Sequence, residues 1–344
     1  MRRSRYMPAS GDADEPTSPR SRHLAVLEAA LRYRFLGFDD IAEILGSSAH
    51  QRIVTELFHR GFLARHHVFR GDEWNRRGSP AAIHVLTPGG LRALAEAKGI
   101  DLSEDPHKST RKRVQSRARP KEGEGVFTAH GWSLARFQRA VDRSAESAGL
   151  EVLDFFADRE YGTPEFRIPT PQVVQNADDA TRESRPYMVK GRDQAVPIQP
   201  DAVYILRNAA GEERVYIAEI DNARRKRTRY LRRALAYWRL VSAPEGIAAL
   251  QETFGAATAD LVFVSPTRAR RDQLRALTLL TPTIKRQAIF WFVALEDILE
   301  GREDRMTVAG DGLFDPAAPV ALKLDGTTSP LGMPGFLLDG HRSR

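Results

Sequence analysis

The sequence predicts a mixed α/β protein in two domains. Three observations carry that reading. The chain has 344 residues, and at about 100–200 residues per domain it divides in two. The first hundred residues show helix-period apolar patterns interrupted by one pair of β-like runs. Set apart from one insertion, residues 132–265 run helix, strand, strand, strand, helix, strand.

Residues 1–21 are rich in Ser, Pro, Asp and Arg without periodicity and read as a disordered arm. The first domain spans 22–100. From Arg22, the side chains of Leu24, Leu27, Leu31 and Phe35 recur at helical spacing, and Gly37 closes the segment. Phe38–Leu45 forms a short second helix with Asp39 and Asp40 in its first turn. The turn Gly46-Ser47-Ser48 supplies serines to cap a third helix, Ala49–Arg60. On that helix Ile53, Leu57 and Phe58 face inward, while His50, Gln51, Arg52, Thr55, Glu56 and His59 face outward. Two β-like runs, Phe62–Phe69 and Ala82–Thr87, flank a polar loop over 70–79, and Pro88 opens a closing helix, Gly89–Lys98.

Three helices, a hairpin with a basic loop and a closing helix are the layout of a winged helix-turn-helix. In that layout the third helix enters the major groove of double-stranded DNA. Gln51 and Arg52 are suited to adenine and guanine edges. Thr55 and His59 share their outward face, and Arg70, Arg76 and Arg77 of the loop would hold phosphates. The same layout also serves protein contacts or dimerisation.

Residues 101–126 are basic, lack apolar periodicity and read as a flexible linker. The second domain spans 127–300. Leu134, Phe137, Val141 and Ala145 mark a helix over Trp132–Ala148, ended by Gly149, and a strand follows at Leu150–Phe156. Residues 157–199, with five prolines, read as an irregular insertion, partly paired as strands near Glu165–Ile168 and Tyr187–Val189. Ala202–Leu206 and Arg214–Ile220 are the arms of a hairpin turning at 208–211. A basic helix over Ala223–Val241 comes next. Then follow strand Asp260–Ser265, helix Thr267–Leu279, strand Ala288–Ala294 and a short helix at Leu295–Leu299. Residues 301–344 read as an irregular tail.

The net charge of +7 is local. Residues 126–223 carry −5 and residues 240–344 carry −2, whereas 224–239 hold eight basic and no acidic side chains. Such a stripe points to a polyanion, most often nucleic acid. Arg225, Arg229, Arg232 and Arg239 fall on one face of the basic helix, with Arg233 beside it. Leu231, Ala234, Leu235 and Trp238 form an apolar stripe. Tyr230 and Tyr237 have two readings, stacking on bases or packing in the core.

Several classes are excluded. No cysteine is present, so there is neither a disulfide frame nor a thiolate zinc site. There is no phosphate-binding Gly-x4-Gly-Lys-Ser/Thr and no His-Glu-x-x-His. His66 and His67 are adjacent rather than spaced as a His-hydrophobic-His metal clamp. The longest apolar run, Ala288 to Leu295, is far below the roughly 20 residues that a membrane span requires. No secretory leader is expected, and the expected location is cytoplasmic.

The chemistry concentrates at the hairpin. Pro200-Asp201 opens its first arm, and Glu219-Ile220-Asp221 ends its second, 18 residues after Asp201. Strand alternation points Glu219 and Asp221 to one face. A turn centred on residue 210 sets Asp201 opposite Glu219. Like charges so placed destabilise a sheet unless something compensates them. A Mg²⁺ ion on Asp201 and Glu219 would do so and would activate water against a phosphodiester. A structural ion cluster, neutralised by Arg224, Arg225 or Lys226, is the other reading. The preceding helix offers no well-placed acidic ligand, since Arg136 or Gln138 lies inward.

The element order and the Pro-Asp…Glu-x-Asp pattern resemble the restriction-endonuclease-like αβββαβ core, whose motif is Pro-Asp followed by Asp/Glu-x-Lys. The resemblance implies catalytic roles for Asp201, Glu219 and Asp221, with Lys226 in place of the motif lysine, and metal binding by Asp201 and Glu219.

Over about residues 22–320 the chain also resembles the replication-relaxation family of plasmid and mobile-element proteins. The likeness rests on Leu-Arg-Tyr-Arg-Phe-Leu-Gly-Phe-Asp-Asp-Ile-Ala-Glu-Ile-Leu (31–45), Arg-Gly-Phe-Leu (60–63) and Ile-His-Val-Leu-Thr-Pro-Gly-Gly (83–90). It continues through His130, Gln-Pro-Asp-Ala (199–202), Ala-Glu-Ile-Asp (218–221), Leu-Ala-Tyr (235–237), Val-Phe-Val-Ser-Pro (262–266) and Trp-Phe-Val-Ala-Leu-Glu-Asp-Ile-Leu (291–299). It implies a DNA-binding protein acting in replication or mobilisation control. Its partners would be double-stranded DNA and either a second copy of itself or replication proteins, with no membrane.

Overall fold

The structure is a computed structural model. It describes residues 21–46, 50–67, 82–103, 110–112, 114–115, 125–157, 164–174, 187–221, 227–279, 289–297, 321–323 and 328–329. The fold is mixed α/β, in two compact units, 1–136 and 137–344.

The first unit contains α1 (Ser21–Tyr33), β1 (Leu36–Gly37), α2 (Phe38–Leu45), α3 (His50–His59), β2 (Leu63–His67), β3 (Ala82–Leu86) and α4 (Pro88–Lys98). Its antiparallel sheet has the order β1-β3-β2, with Leu36 against His84 and Leu63 against Leu86. The first helix stops earlier than the sequence suggests. Arg34 takes a left-handed φ of 72°, which breaks the helix and frees Leu36 and Gly37 to pair as a strand. Asp40 then caps α2, its Oδ2 accepting the Gly37 amide at 2.6 Å. Thr87, read as strand, is the cap of α4: its Oγ1 accepts the Gly90 amide at 3.0 Å. Pro88 follows at the first helical position.

The core of this unit gathers Val26, Leu27, Ile41, Val54, Leu57, Leu63, Leu86 and Leu91. Val114 joins it, although it lies in the stretch read as a flexible linker. Residues 110–112 and 114–115 are helical there. A long helix, α5 (Gly125–Ser147), begins earlier than its apolar spacing indicates, and the division between the units falls within it. At its start Gly131 lies against Phe35, where a Cβ would stand 2.4 Å from the ring.

The second unit is built on a seven-stranded mixed sheet. Its strands are β4 (Glu151–Ala157), β7 (Ala202–Arg207), β8 (Glu213–Ile220), β9 (Ala259–Ser265), β10 (Phe290–Ala294), β11 (Ala321–Lys323) and β12 (Thr328–Ser329). The order is β12-β11-β10-β9-β8-β7-β4. The strands β4, β7 and β8 pair antiparallel, while β9 runs parallel to both β8 and β10. Helices α6 (Arg227–Ser242), α7 (Pro244–Phe254) and α8 (Arg268–Leu279) complete the unit. One sheet face buries Val203, Val215, Ile217, Leu261 and Phe263 with Leu231, Ala234, Leu235 and Leu240 of α6. In α6 the side chains of Tyr230 and Tyr237 are core, each 1% exposed, which removes them as base-stacking groups.

Three sequence expectations are corrected here. Within the insertion, β5 (Phe166–Val174) and β6 (Tyr187–Ile198) pair as a two-stranded antiparallel ribbon, longer than the short pairing expected. Phe166, Ile168, Val196 and Ile198 bury one of its faces in the core. Helix α7 lies where no element was expected. The tail, read as irregular, contributes β11 and β12. Of the short helix expected at 295–299, residues 295–297 are helical.

Candidate functional site

The hairpin of β7 and β8 fixes the carboxylates. Asn208 closes its turn, with Oδ1 accepting the amides of Ala210 and Glu212 at 3.0 and 2.9 Å. Gly211 takes φ 83°. The register pairs Ala202 with Ala218, so Asp201 falls opposite Glu219 as the turn position predicts. The Asp201 amide donates to the Ala218 carbonyl at 3.1 Å. Its Oδ2 accepts the Ile220 amide at 2.7 Å. That bond ties the carboxylate to the backbone at the end of the hairpin.

Glu219 is 2% exposed. Its Oε2 accepts two bonds, from Arg233 Nη2 at 2.7 Å and from the Tyr237 hydroxyl at 2.8 Å. Arg233 Nη2 also donates to the Gln199 carbonyl at 3.1 Å. Burial works most strongly against the charge of Arg233, but Glu219, Tyr237 and Asp201 together outweigh it and hold the guanidinium above its ordinary range. Burial, reinforced by Glu219, pushes the Tyr237 phenol well above its usual value. Tyr237 is therefore a neutral donor.

Asp221, wholly buried, pairs with a different helix. Its Oδ2 accepts Arg270 Nε of α8 at 2.5 Å, and its amide donates to the Val264 carbonyl at 2.8 Å. Among the described residues, Asp221 Oδ1, Arg270 Nη2 and Ser265 Oγ are buried without a hydrogen-bond partner. Nearby, the Tyr230 hydroxyl and Thr278 Oγ1 are 2.6 Å apart. Thus two guanidiniums, each from the helix that follows a parallel strand, neutralise the two carboxylates that end β8.

These residues do not fit a magnesium ion. A hard cation needs several free carboxylate or carbonyl oxygens. Glu219 Oε2 is taken by two donors, Asp221 Oδ2 by a guanidinium and Asp201 Oδ2 by an amide. Among the described residues no group of three or more His, Asp or Glu side chains could hold a metal ion. Lys226, the expected stand-in for the motif lysine, and Arg224 and Arg225 lie outside the described residues.

Gln51, Arg52, Thr55 and His59 are all exposed on α3, while Ile53, Val54, Leu57 and Phe58 are buried. Arg52 Nε donates to Glu56 Oε1 at 2.8 Å, one turn along, and His23 Nε2 lies 3.0 Å from Glu56 Oε2. The Arg52 hydrogen bond, ahead of that from His23, draws the Glu56 carboxyl below its ordinary range. Arg70, Arg76 and Arg77 lie outside the described residues. On α6, Arg229 and Arg232 are exposed. They make no ion pair among the described residues, whereas Arg207, Arg214, Arg233, Arg268, Arg270 and Arg271 all do.

Sequence reasoning missed Arg270 and the role of Arg233. For Arg233 a signal was present, because it stands one turn before Tyr237. A second buried polar group was also missed. Asp260, 1% exposed, pairs with Arg214 Nε at 2.6 Å and accepts from Trp291 Nε1 at 3.3 Å. Tyr204 and Tyr216 stack with centroids 4.8 Å apart.

Comparison of the chain with protein-family models, curated proteins and solved structures found no match. Among the described residues, no helix is long and apolar enough to cross a membrane.

Proposed function

We propose that this chain is a double-stranded DNA-binding protein whose first unit works as a winged helix. The observation that carries the reading is the surface of α3. Gln51, Arg52, Thr55 and His59 project from a helix whose other face is anchored in the core. They include the side-chain types that pair with adenine and guanine edges. The order α1-β1-α2-α3-β2-β3, with the sheet order β1-β3-β2, supports this arrangement. So does the place of Arg70, Arg76 and Arg77 in the sequence, between β2 and β3.

The second unit is read as a restriction-endonuclease-like core used as a platform. The order α5, β4, β7, β8, α6, β9, with β9 parallel to β8, supports that reading. Its contribution to binding is electrostatic. Arg229 and Arg232, which make no ion pair among the described residues, meet phosphates, together with Arg225 of the preceding segment. Such contacts hold DNA without reading it. On the sequence resemblance to the replication-relaxation family, the activity is read as plasmid or mobile-element replication or mobilisation control.

The test is the affinity of the full chain for a labelled duplex library, followed by selection of bound sequences. Enrichment of one motif, lost in Gln51→Ala/Arg52→Ala, supports the reading. Binding with no sequence preference in the wild type refutes it.

A further inference from the structure

Helix α3 carries an ion pair that helix energetics do not explain. Arg52 lies near its N-terminus, and Glu56 follows four residues later. The helix dipole favours acidic groups near the N-terminus and basic groups near the C-terminus. Here the order is reversed. An i,i+4 pair also supports a helix less when the basic residue comes first. Nevertheless Arg52 Nε donates to Glu56 Oε1 at 2.8 Å, although the Arg52 side chain is 82% exposed.

The other carboxylate oxygen is engaged as well. Glu56 Oε2 lies 3.0 Å from Nε2 of His23, a buried residue of α1. An ionised carboxylate only accepts, so that nitrogen is the donor. The bonds from Arg52 and His23 together favour the ionised form of Glu56. One end of the carboxylate is thus braced by the interior of the unit, and the other holds an exposed guanidinium.

We infer that Glu56, braced by His23, is a positioning residue that presents Arg52 to a guanine in the major groove. The inference rests on the DNA-reading proposal and deepens it, because it names the base and the contact. The bond to Glu56 uses Nε. It leaves Nη1 and Nη2, neither of them hydrogen-bonded among the described residues, as a two-pronged end. That end matches O6 and N7 of guanine, two acceptors side by side on the major-groove edge. A side-on approach through Nε is closed while Glu56 holds it. Without Glu56 an arginine so exposed would sample many rotamers, and ordering it on binding would cost affinity. Its place fits as well, since base contacts come from the N-terminal residues of a recognition helix.

The experiment starts from duplexes selected by the full chain and locates the guanine whose preference is lost in Arg52→Ala. Fluorescence anisotropy then gives the affinity for that duplex and for one with 7-deazaguanine at the same position, which lacks the N7 acceptor but still pairs with cytosine. The ratio of the two affinities is compared for wild type, Arg52→Ala, Glu56→Ala and Glu56→Gln. The wild type should favour guanine about fivefold or more, and Arg52→Ala should show no preference. Glu56→Ala should cut the ratio about twofold or more. Glu56→Gln, whose amide oxygen can still accept from Nε, should restore most of it. A pair that served only the helix would weaken both duplexes alike in Glu56→Ala and leave the ratio unchanged. That result overturns the inference while the DNA reading stands, and so does a selected motif with no guanine that depends on Arg52. A wild type that enriches no motif overturns the DNA reading itself, and this inference with it.

Discussion

Arg233 Nη2 lies 2.7 Å from Glu219 Oε2, joining the middle of α6 to the end of β8 in a setting where the carboxylate is 2% exposed. The same oxygen receives the Tyr237 hydroxyl, so one side of α6 is tied to the sheet by a charged and a neutral donor. Arg229 and Arg232 project from the same helix into solvent. The helix α6 therefore meets the acidic edge of the hairpin through Arg233 and Tyr237 and presents Arg229 and Arg232 to solvent.

Breaking that pair should be costly. Removing one partner of a buried ion pair leaves the other charged and desolvated, a loss of about 3 kcal/mol or more. Arg233→Ala and Glu219→Ala are both expected to lower urea stability by that order. The double variant should lose less than the sum, because it leaves no unpaired charge. Additive losses would show that the two side chains do not interact.

Stability should also fall in alkali. Tyr204, Tyr230 and Tyr237 are buried, and burial raises each phenol above its ordinary value. The folded state keeps these protons while the unfolded chain releases them. Their contribution is therefore complete below the unfolded pKa and is lost as pH rises through and beyond it. Each tyrosine can steepen the loss by up to about 1.4 kcal/mol per pH unit. Urea unfolding between about pH 9 and pH 11 checks this. Tyr237→Phe should show a shallower decline than the wild type, and an identical decline would contradict the assignment.

In the first unit, Gly90 is required by close approach. A Cβ there would stand 2.2 Å from the Phe62 carbonyl oxygen, a backbone atom that cannot swing aside. Gly90→Ala is expected to cost about 1–3 kcal/mol. Gly46→Ala tests strain of another kind, because φ there is 57° and an added Cβ would meet no atom of the described residues within 4 Å. Its cost comes from the left-handed backbone alone and should be smaller, about 1 kcal/mol. Thermal or urea melts of both variants would reveal the order, and the reverse order would contradict the packing described.

Much of this architecture was legible in the sequence where a local signal was strong. Phe38–Leu45 was readable from its amphipathic spacing, and the hairpin from Asn208 to Gly211 between two apolar runs. The facing of Asp201 and Glu219 followed from that turn by counting. Elsewhere local chemistry masked the fold. Pro169, Pro171 and Pro197 argued against strands, yet a two-stranded ribbon has outward edges where a missing amide is harmless. Its alternation of buried Phe166 and Ile168 with exposed Arg167 and Pro169 was the better guide. Pro244 and Gly255 mark both ends of α7 and could have located it. The partner of Asp221 had no such signal. Arg270 lies 49 residues away, and no periodicity in the chain spans that distance.

The basic face of α6 should act through phosphates. Removing two phosphate contacts lowers the log–log salt slope of DNA binding by about 1.8. Arg229→Ala/Arg232→Ala is expected to show that change, equally for specific and unrelated duplexes. An unchanged slope would remove this face from the interface.

The central claim is that α3 reads DNA. It is tested most directly by fluorescence anisotropy of a selected duplex and a scrambled one, with wild type and Gln51→Ala/Arg52→Ala compared at one salt concentration. The account predicts that the variant loses about tenfold or more in affinity for the selected duplex while binding the scrambled one as before. Equal affinities of wild type and variant for the selected duplex would contradict it.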